Sequence, residues 1–82
     1  MPVLDERKVA FGREMRRLRM AALMTQEEWA DHVGSCVGTI RQWERGNTVP
    51  HKITLRRLVM DHGLDRELAA EAAAVANQGK VA

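Results

Sequence analysis

The sequence predicts an all-α fold, built from five short helices in one small domain. Apolar residues recur at helical spacing, as in the series Phe11, Met15, Leu18 and Ala22. Residues that start or stop helices separate the periodic segments, and no segment alternates apolar and polar residues as a half-buried strand does. A length of 82 residues fits a single domain. We expect this domain to span residues 1–76, with a flexible tail over residues 77–82.

The first two helices carry the clearest local signals. Helix one is predicted from about Asp5 to Ala22, because acidic residues open it and arginines fill its second half, as the helix dipole favours. Thr25 is the expected N-cap of helix two, and Glu28 completes a capping box three residues later. Helix two then runs over Gln26–Val33 and ends at Gly34, which can adopt the left-handed conformation.

Three further helices follow, each between residues that stop one helix and start the next. Their predicted spans are about Val37–Arg45, His51–His62 and Arg66–Ala76. The residues expected to cap or end these helices are Ser35 or Cys36, Gly46 with Asn47, Pro50, Gly63 and Asp65.

The composition is that of an ordinary globular protein, with 45% hydrophobic and 29% charged residues. No apolar run reaches the length of a membrane span, and the first residues lack the apolar segment of a signal peptide. The single cysteine, Cys36, cannot form an internal disulfide and fits a reducing compartment. We therefore expect a cytoplasmic protein with no membrane partner.

Basic residues are concentrated in the first two thirds of the chain. Residues 7–57 hold eleven lysines and arginines against five acidic residues, whereas residues 58–82 hold two against four. A basic region of this kind favours a polyanionic partner. The alternative is that these side chains are only a solvated surface.

The segment from Thr25 to Pro50 has the residue types of two short helices that cross at a tight turn. Ala30 is small where the helix backbones must approach, and Gly34 ends the first helix. Ile40 and Trp43 are three residues apart and therefore share the inner face of the second helix. Residues 37, 38, 41 and 42 fall on the opposite side, where arginine and glutamine side chains can read base edges in a DNA major groove.

The chain from Phe11 to Leu64 closely resembles the Cro/C1-type (XRE) helix-turn-helix domain of phage repressors and bacterial regulators. The matching pieces are Met15–Arg19 (MRRLR), Thr25–Ala30 (TQEEWA), Val33–Gly34, Thr39–Gly46 (TIRQWERG), Pro50 and Thr54–Leu58 (TLRRL). The resemblance implies a five-helix, lambda-repressor-like DNA-binding domain whose helix-turn-helix consists of helices two and three.

The resemblance also implies roles for single residues. Helix three would present Cys36, Val37, Gly38, Arg41 and Gln42 to the major groove, with Thr39 toward the sugar-phosphate edge. The phosphate contacts on either side would come from Gln26, Arg45, Asn47, Thr48 and Lys52, including backbone amides from Gly46 to Thr48. Arg19 and Glu44 would form a partly buried ion pair that ties helix one to the end of helix three.

Four residues depart from the pattern of the family. Val37 and Gly38 are small where phage repressors often carry polar side chains, so we expect few direct base contacts and a larger share for DNA shape. Leu23 stands where the family often has a glycine to end helix one. Trp29 replaces a usual leucine, and its indole N–H needs a partner if the ring is buried.

No residue pattern indicates catalysis, a cofactor or a metal. The three histidines have no metal-ligand spacing with Cys36 or with each other, and no nucleophile stands beside a general base. Cys36 lies at a helix N-terminus, where a lowered thiol pKa would permit redox sensing. The alternative, which we favour, is a small residue at a capping site.

The last predicted helix carries a narrow apolar stripe formed by Leu64, Leu68, Ala72 and Val75. The stripe either packs on its own domain or forms a two-fold contact between two copies, and we favour the homodimer. Together these features predict a sequence-specific regulator of double-stranded DNA, acting as a repressor on an operator. The rival hypothesis is an antitoxin, or another module that binds a partner protein and binds DNA secondarily.

Overall fold

The computed structural model describes residues 5–78 and consists of five helices, with no strand in that part of the chain. The helices are α1 (Glu6–Ala21), α2 (Gln26–Val33), α3 (Val37–Glu44), α4 (Lys52–His62) and α5 (Arg66–Gln78). The predicted all-α class is therefore confirmed. Helix α5 continues two residues past the expected end at Ala76, and the remainder of the expected tail, residues 79–82, lies outside the described residues. None of these helices is long and apolar enough to cross a membrane.

The helix ends follow the capping residues of the sequence. The Thr25 hydroxyl accepts a hydrogen bond from the Glu28 amide at 3.1 Å, and the Glu28 carboxylate accepts one from the Thr25 amide at 2.9 Å. These reciprocal bonds form the predicted capping box. Gly34 ends α2 at a φ of 76°, and the Asp65 carboxylate accepts from the Leu68 amide at the start of α5.

The core is formed by residues of all five helices, with α1 packed against α3 and α5. Phe11 and Met15 of α1, Ile40 of α3 and Leu58 of α4 are its largest fully buried side chains. The ring of Phe11 meets Trp43 edge to face, with 5.9 Å between the ring centroids. The prediction that Ile40 and Trp43 form the inner face of α3 is confirmed, because both are buried.

Helices α1 and α3 approach at Gly12. A Cβ atom at this position would collide with the backbone carbonyl of Trp43. Only glycine allows this approach, which holds α3 close to α1.

Leu23 has an unusual backbone conformation, and the buried indole nitrogen of Trp29 lacks a hydrogen-bond partner among the described residues. Leu23 has a φ of 58°, in the left-handed region where glycine is favoured, and its side chain is 92% exposed. Trp29 is buried, and its Nε1 makes no hydrogen bond to any described residue, so the expectation that the indole N–H finds a partner is wrong. The rings of His32 and His62 cover the indole instead, with centroids at 5.6 and 5.8 Å.

The apolar stripe on α5 faces the interior of its own domain. Leu64, Ala72 and Val75 are buried and Leu68 is partly buried. The small side chain of Ala72 allows α5 to lie close against the rest of the domain. The sequence left open whether this stripe packs on its own domain or against a second copy. In the structure, the stripe packs on its own domain.

Candidate nucleic-acid interface

The outer face of α3 carries polar side chains. Gly38, Arg41 and Gln42 are exposed, opposite the buried pair Ile40 and Trp43. Val37 is only half-exposed and packs against the core. The exposed part of α3 therefore offers two polar side chains and a glycine backbone.

Arg41 and Gln42 are each held by a neighbouring side chain. The Arg41 Nε donates to the side-chain Oε1 of Gln26 at 3.4 Å, and an Nη of the guanidinium lies 4.0 Å from the Glu27 carboxylate. The side-chain Nδ2 of Asn47 donates to Gln42 Oε1 at 2.9 Å. Sequence analysis missed both contacts, because Gln26 and Asn47 were considered only as phosphate ligands and helix periodicity does not relate them to α3.

Arg19 and Glu44 form a two-pronged ion pair between α1 and the end of α3. The Nε–Oε2 distance is 2.8 Å and the Nη2–Oε1 distance is 3.0 Å, with side chains only 14% and 7% exposed. The hydrogen bond to Glu44 raises the pKa of the Arg19 guanidinium above its usual value. Gln26 Nε2 donates to the same carboxylate at 3.3 Å, so the pair also positions the first residue of α2.

Beyond α3, the chain turns at Gly46, which has a φ of 77° and packs against Val9. The expectation that all backbone amides from Gly46 to Thr48 face a phosphate needs correction. The amides of Gly46 and Asn47 donate to carbonyls near the end of α3, at 3.1 and 3.0 Å. Of the three amides, only that of Thr48 donates to no group within residues 5–78.

The other polar residues that the sequence assigned to phosphates line this turn and the start of α4. Arg45, Asn47, Thr48 and Lys52 are all exposed. The Lys8 ammonium lies 3.5 Å from the Asn47 carbonyl oxygen and adds another positive charge to the same edge. The outer face of α3 thus lies between Gln26 on one side and a basic edge on the other.

Cys36 is the N-cap residue of α3 but makes no side-chain capping hydrogen bond. Its exposed Sγ lies 3.1 Å from the hydroxyl of the half-buried Thr39. Hydrogen bonding from the Thr39 side chain, and then from the Thr39 amide, lowers the pKa of the thiol. The contact holds the Cys36 and Thr39 side chains together at the start of α3.

No group of three histidine, cysteine or acidic side chains in the described ranges is placed to hold a metal ion. His32 and His62 lie face to edge, with 4.8 Å between their ring centroids, and pack as aromatic rings.

A family model described as a helix-turn-helix domain matches residues 10–74, from within α1 to within α5. No curated protein and no solved structure matches the chain.

Proposed function

Because the chain belongs to the helix-turn-helix domain family, whose members bind DNA, we propose that it is a sequence-specific transcriptional regulator of the Cro/C1 (XRE) type. In this proposal it acts as a repressor and binds an operator as a homodimer. Its activity is binding, without a catalytic step.

The observation that carries the proposal is the position of Arg41 and Gln42. Both side chains are exposed on the side of α3 opposite the core and are held by Gln26 and Asn47. Arginine can donate two hydrogen bonds to the O6 and N7 atoms of guanine, and glutamine can pair with the N6 and N7 atoms of adenine. Each such pair discriminates between bases by about 1–3 kcal/mol.

The surroundings of α3 support a phosphate framework around these base contacts. Gln26 lies at the positive N-terminal end of α2, and Arg45, Thr48 and Lys52 lie along the opposite edge. In this proposal they bind the two sides of the groove and fix the register of α3.

Homodimer formation follows from the small number of base contacts. A helix of eight residues with two base-reading side chains specifies too few bases for an operator on its own. Two copies on half-sites about 34 Å apart double the contacts and match one turn of the duplex. Occupying such a site across a promoter would block transcription.

The experiment that tests the proposal is selection from random duplexes with the purified protein. Wild-type protein should enrich a sequence with two related half-sites. Arg41→Ala and Gln42→Ala should each relax the preference at one base pair per half-site, since each removes one base-reading group. Arg17→Ala is the control, because this exposed arginine pairs with Glu14 on α1 and should leave the selected sequence unchanged. An unchanged sequence in both α3 variants would overturn the proposal.

A further inference from the structure

We propose that two copies of this chain associate through the outer faces of α4 and α5, with α4 of each copy against α5 of the other. The inference deepens the proposed function, because it names the contact of the homodimer on which that function rests. It starts from a surface that neither the core nor the DNA interface uses.

The outer face of α4 exposes two large apolar side chains. Ile53 is 73% exposed and Met60 is 75% exposed. They are seven residues apart, which places them on the same side of the helix and about 10 Å apart along its axis. A partner that covers both side chains would remove their apolar area from water, which favours association at this face.

This face of α4 is also basic. Arg56 and Arg57 follow Ile53 by three and four residues, which places their backbone positions between those of Ile53 and Met60. The end of the Arg57 side chain reaches Gly34 in the turn between α2 and α3. Both arginines are exposed, and neither makes an ion pair with any residue that the structure describes. A protein that covers this face must therefore supply acidic groups.

Helix α5 has an acidic outer face with the same spacing. Glu67, Ala70, Glu71 and Ala74 occupy positions i, i+3, i+4 and i+7, and all four are exposed. The two carboxylates form no ion pair within residues 5–78. The alanines leave room for large side chains such as Ile53 and Met60, while Arg66 lies about 100° around the helix from Glu67.

Charge and side-chain size favour α5 of a second copy as the partner of the outer face of α4. Contact of α4 with α4 would oppose arginines to arginines, and contact of α5 with α5 would oppose glutamates to glutamates. Contact of α4 with α5 of a second copy pairs arginines with glutamates and sets apolar side chains against alanines. A two-fold axis makes this contact twice, as an isologous dimer requires.

The apolar stripe of α5 cannot join two copies without opening the domain, because Leu64, Ala72 and Val75 are buried within it. The residues of the proposed contact are exposed already.

A charge-swap experiment tests the contact directly. The acidic-α4 variant carries Arg56→Glu and Arg57→Glu, and the basic-α5 variant carries Glu67→Arg and Glu71→Arg. Each variant alone would set like charges against each other and should dimerise about a hundredfold more weakly than wild type. An equal mixture restores opposite charges at both contacts and should form a heterodimer. Sedimentation equilibrium without DNA measures all three samples.

The control is Arg13→Glu with Arg16→Glu, which makes the same change in net charge at exposed positions of α1 and should dimerise like wild type. If either charge variant loses its helical circular dichroism, Ile53→Gln with Met60→Gln replaces it and should weaken dimerisation about tenfold. A wild-type monomer at millimolar concentration, variants that dimerise normally, or a mixture that stays monomeric would each overturn the inference.

Because sedimentation is measured without DNA, this inference and the proposed function fail separately. A protein that selects a duplex sequence but never dimerises through these faces would retain the proposed regulatory function and lose only this contact. A protein that dimerises as described but selects no sequence would retain this contact and lose the proposed regulatory function.

Discussion

At the scale of single residues, the two proposed base-reading side chains, Arg41 and Gln42, contact neighbours outside α3. The side-chain Nδ2 of Asn47 occupies one acceptor site of Gln42 Oε1, which leaves the second lone pair and both N–H donors of Gln42 for a base. The side-chain Oε1 of Gln26 accepts from Arg41 Nε, and the Arg41 Nη2 that lies 4.0 Å from Glu27 must leave that carboxylate to donate to a guanine edge. We therefore expect substitution at Gln26 or Asn47 to change sequence preference as well as phosphate affinity.

Leu23 provides a stability prediction at the same scale. Leu23→Gly should raise the free energy of unfolding by about 0.5–1 kcal/mol, because glycine adopts the left-handed conformation without strain. The greater conformational entropy of glycine in the unfolded chain offsets part of this gain. The lost side chain is 92% exposed, so its removal opens no cavity. Denaturant unfolding measures the change. The control Leu23→Ala keeps the Cβ and should give no gain, and equal stability of the two variants would contradict the account.

Leu23 and Trp29 have structural features that could not be predicted from the sequence. The departure of Leu23 from glycine was visible, but its left-handed backbone belongs to the hydrogen bonds that end α1, from the Leu23 amide to the Met20 carbonyl and from the Met24 amide to the Arg19 carbonyl. The burial of Trp29 was predictable from helix periodicity. The absence of a hydrogen-bond partner at its Nε1 was not, because His32 and His62 converge on the indole only in the folded chain.

At the scale of helices, the Arg19–Glu44 pair joins α1 to α3 and predicts strong coupling. Removing either partner leaves the other charge covered and unpaired, which should cost about 3–5 kcal/mol. Arg19→Met with Glu44→Leu together should cost clearly less than the sum of the single changes. A double-mutant cycle by chemical denaturation measures this. Additive single effects would show that the two groups do not interact.

The contact between α2 and the end of α4 predicts a pH dependence of stability. Burial, and then the charge of nearby His32, lowers the pKa of His62, while Asp61 acts in the opposite direction and Arg57 adds to the lowering. The unfolded chain therefore binds a proton at higher pH than the folded chain does. The contribution of neutral His62 to the free energy of unfolding is fully present above about pH 6.5. It should fall as the pH drops through the folded pKa of His62.

Thermal unfolding at pH 7.5 and at pH 5.5 tests this dependence, and His62→Gln is the matched variant because it cannot take up a proton. The wild-type midpoint should be lower at pH 5.5, and the variant should show a smaller difference. An equal difference in both proteins would remove His62 as the cause.

Elements that depend on local signals were predicted best. The capping box of Thr25 and Glu28 and the span of α2 follow from adjacent residues alone. The stripe of α5 was visible as a pattern, but periodicity cannot tell whether such a stripe meets its own domain or another copy. The approach of α1 to α3 at Gly12 was not predicted either, because its cause is a carbonyl 31 positions away in the chain, at Trp43.

At the scale of the whole molecule, charge and size both suit a duplex. The described chain measures 37 × 30 × 19 Å along its principal axes. Two copies side by side would place their centres about one helical turn of DNA apart, near the half-site spacing of about 34 Å. The excess of basic residues lies in residues 7–57, the part that contains the helix-turn-helix.

This charge distribution predicts a steep dependence of DNA binding on salt. Log affinity should fall linearly with log salt concentration, because each phosphate contact releases a counterion. Lys52→Ala should reduce the magnitude of the slope by about 1 and weaken binding to all sequences equally. Fluorescence anisotropy with the selected duplex and a shuffled duplex measures both quantities. A slope unchanged in Lys52→Ala would exclude this lysine as a phosphate ligand.

The central claim is that the outer face of α3 enters the major groove, and mapping of backbone amide chemical shifts tests it most directly. The ¹⁵N-labelled chain is titrated with the duplex recovered by selection. The account predicts the largest shifts from Cys36 to Gln42, with further shifts at Gln26 and Thr48. Shifts confined to other surfaces, with the amides of α3 unchanged at saturation, would contradict it.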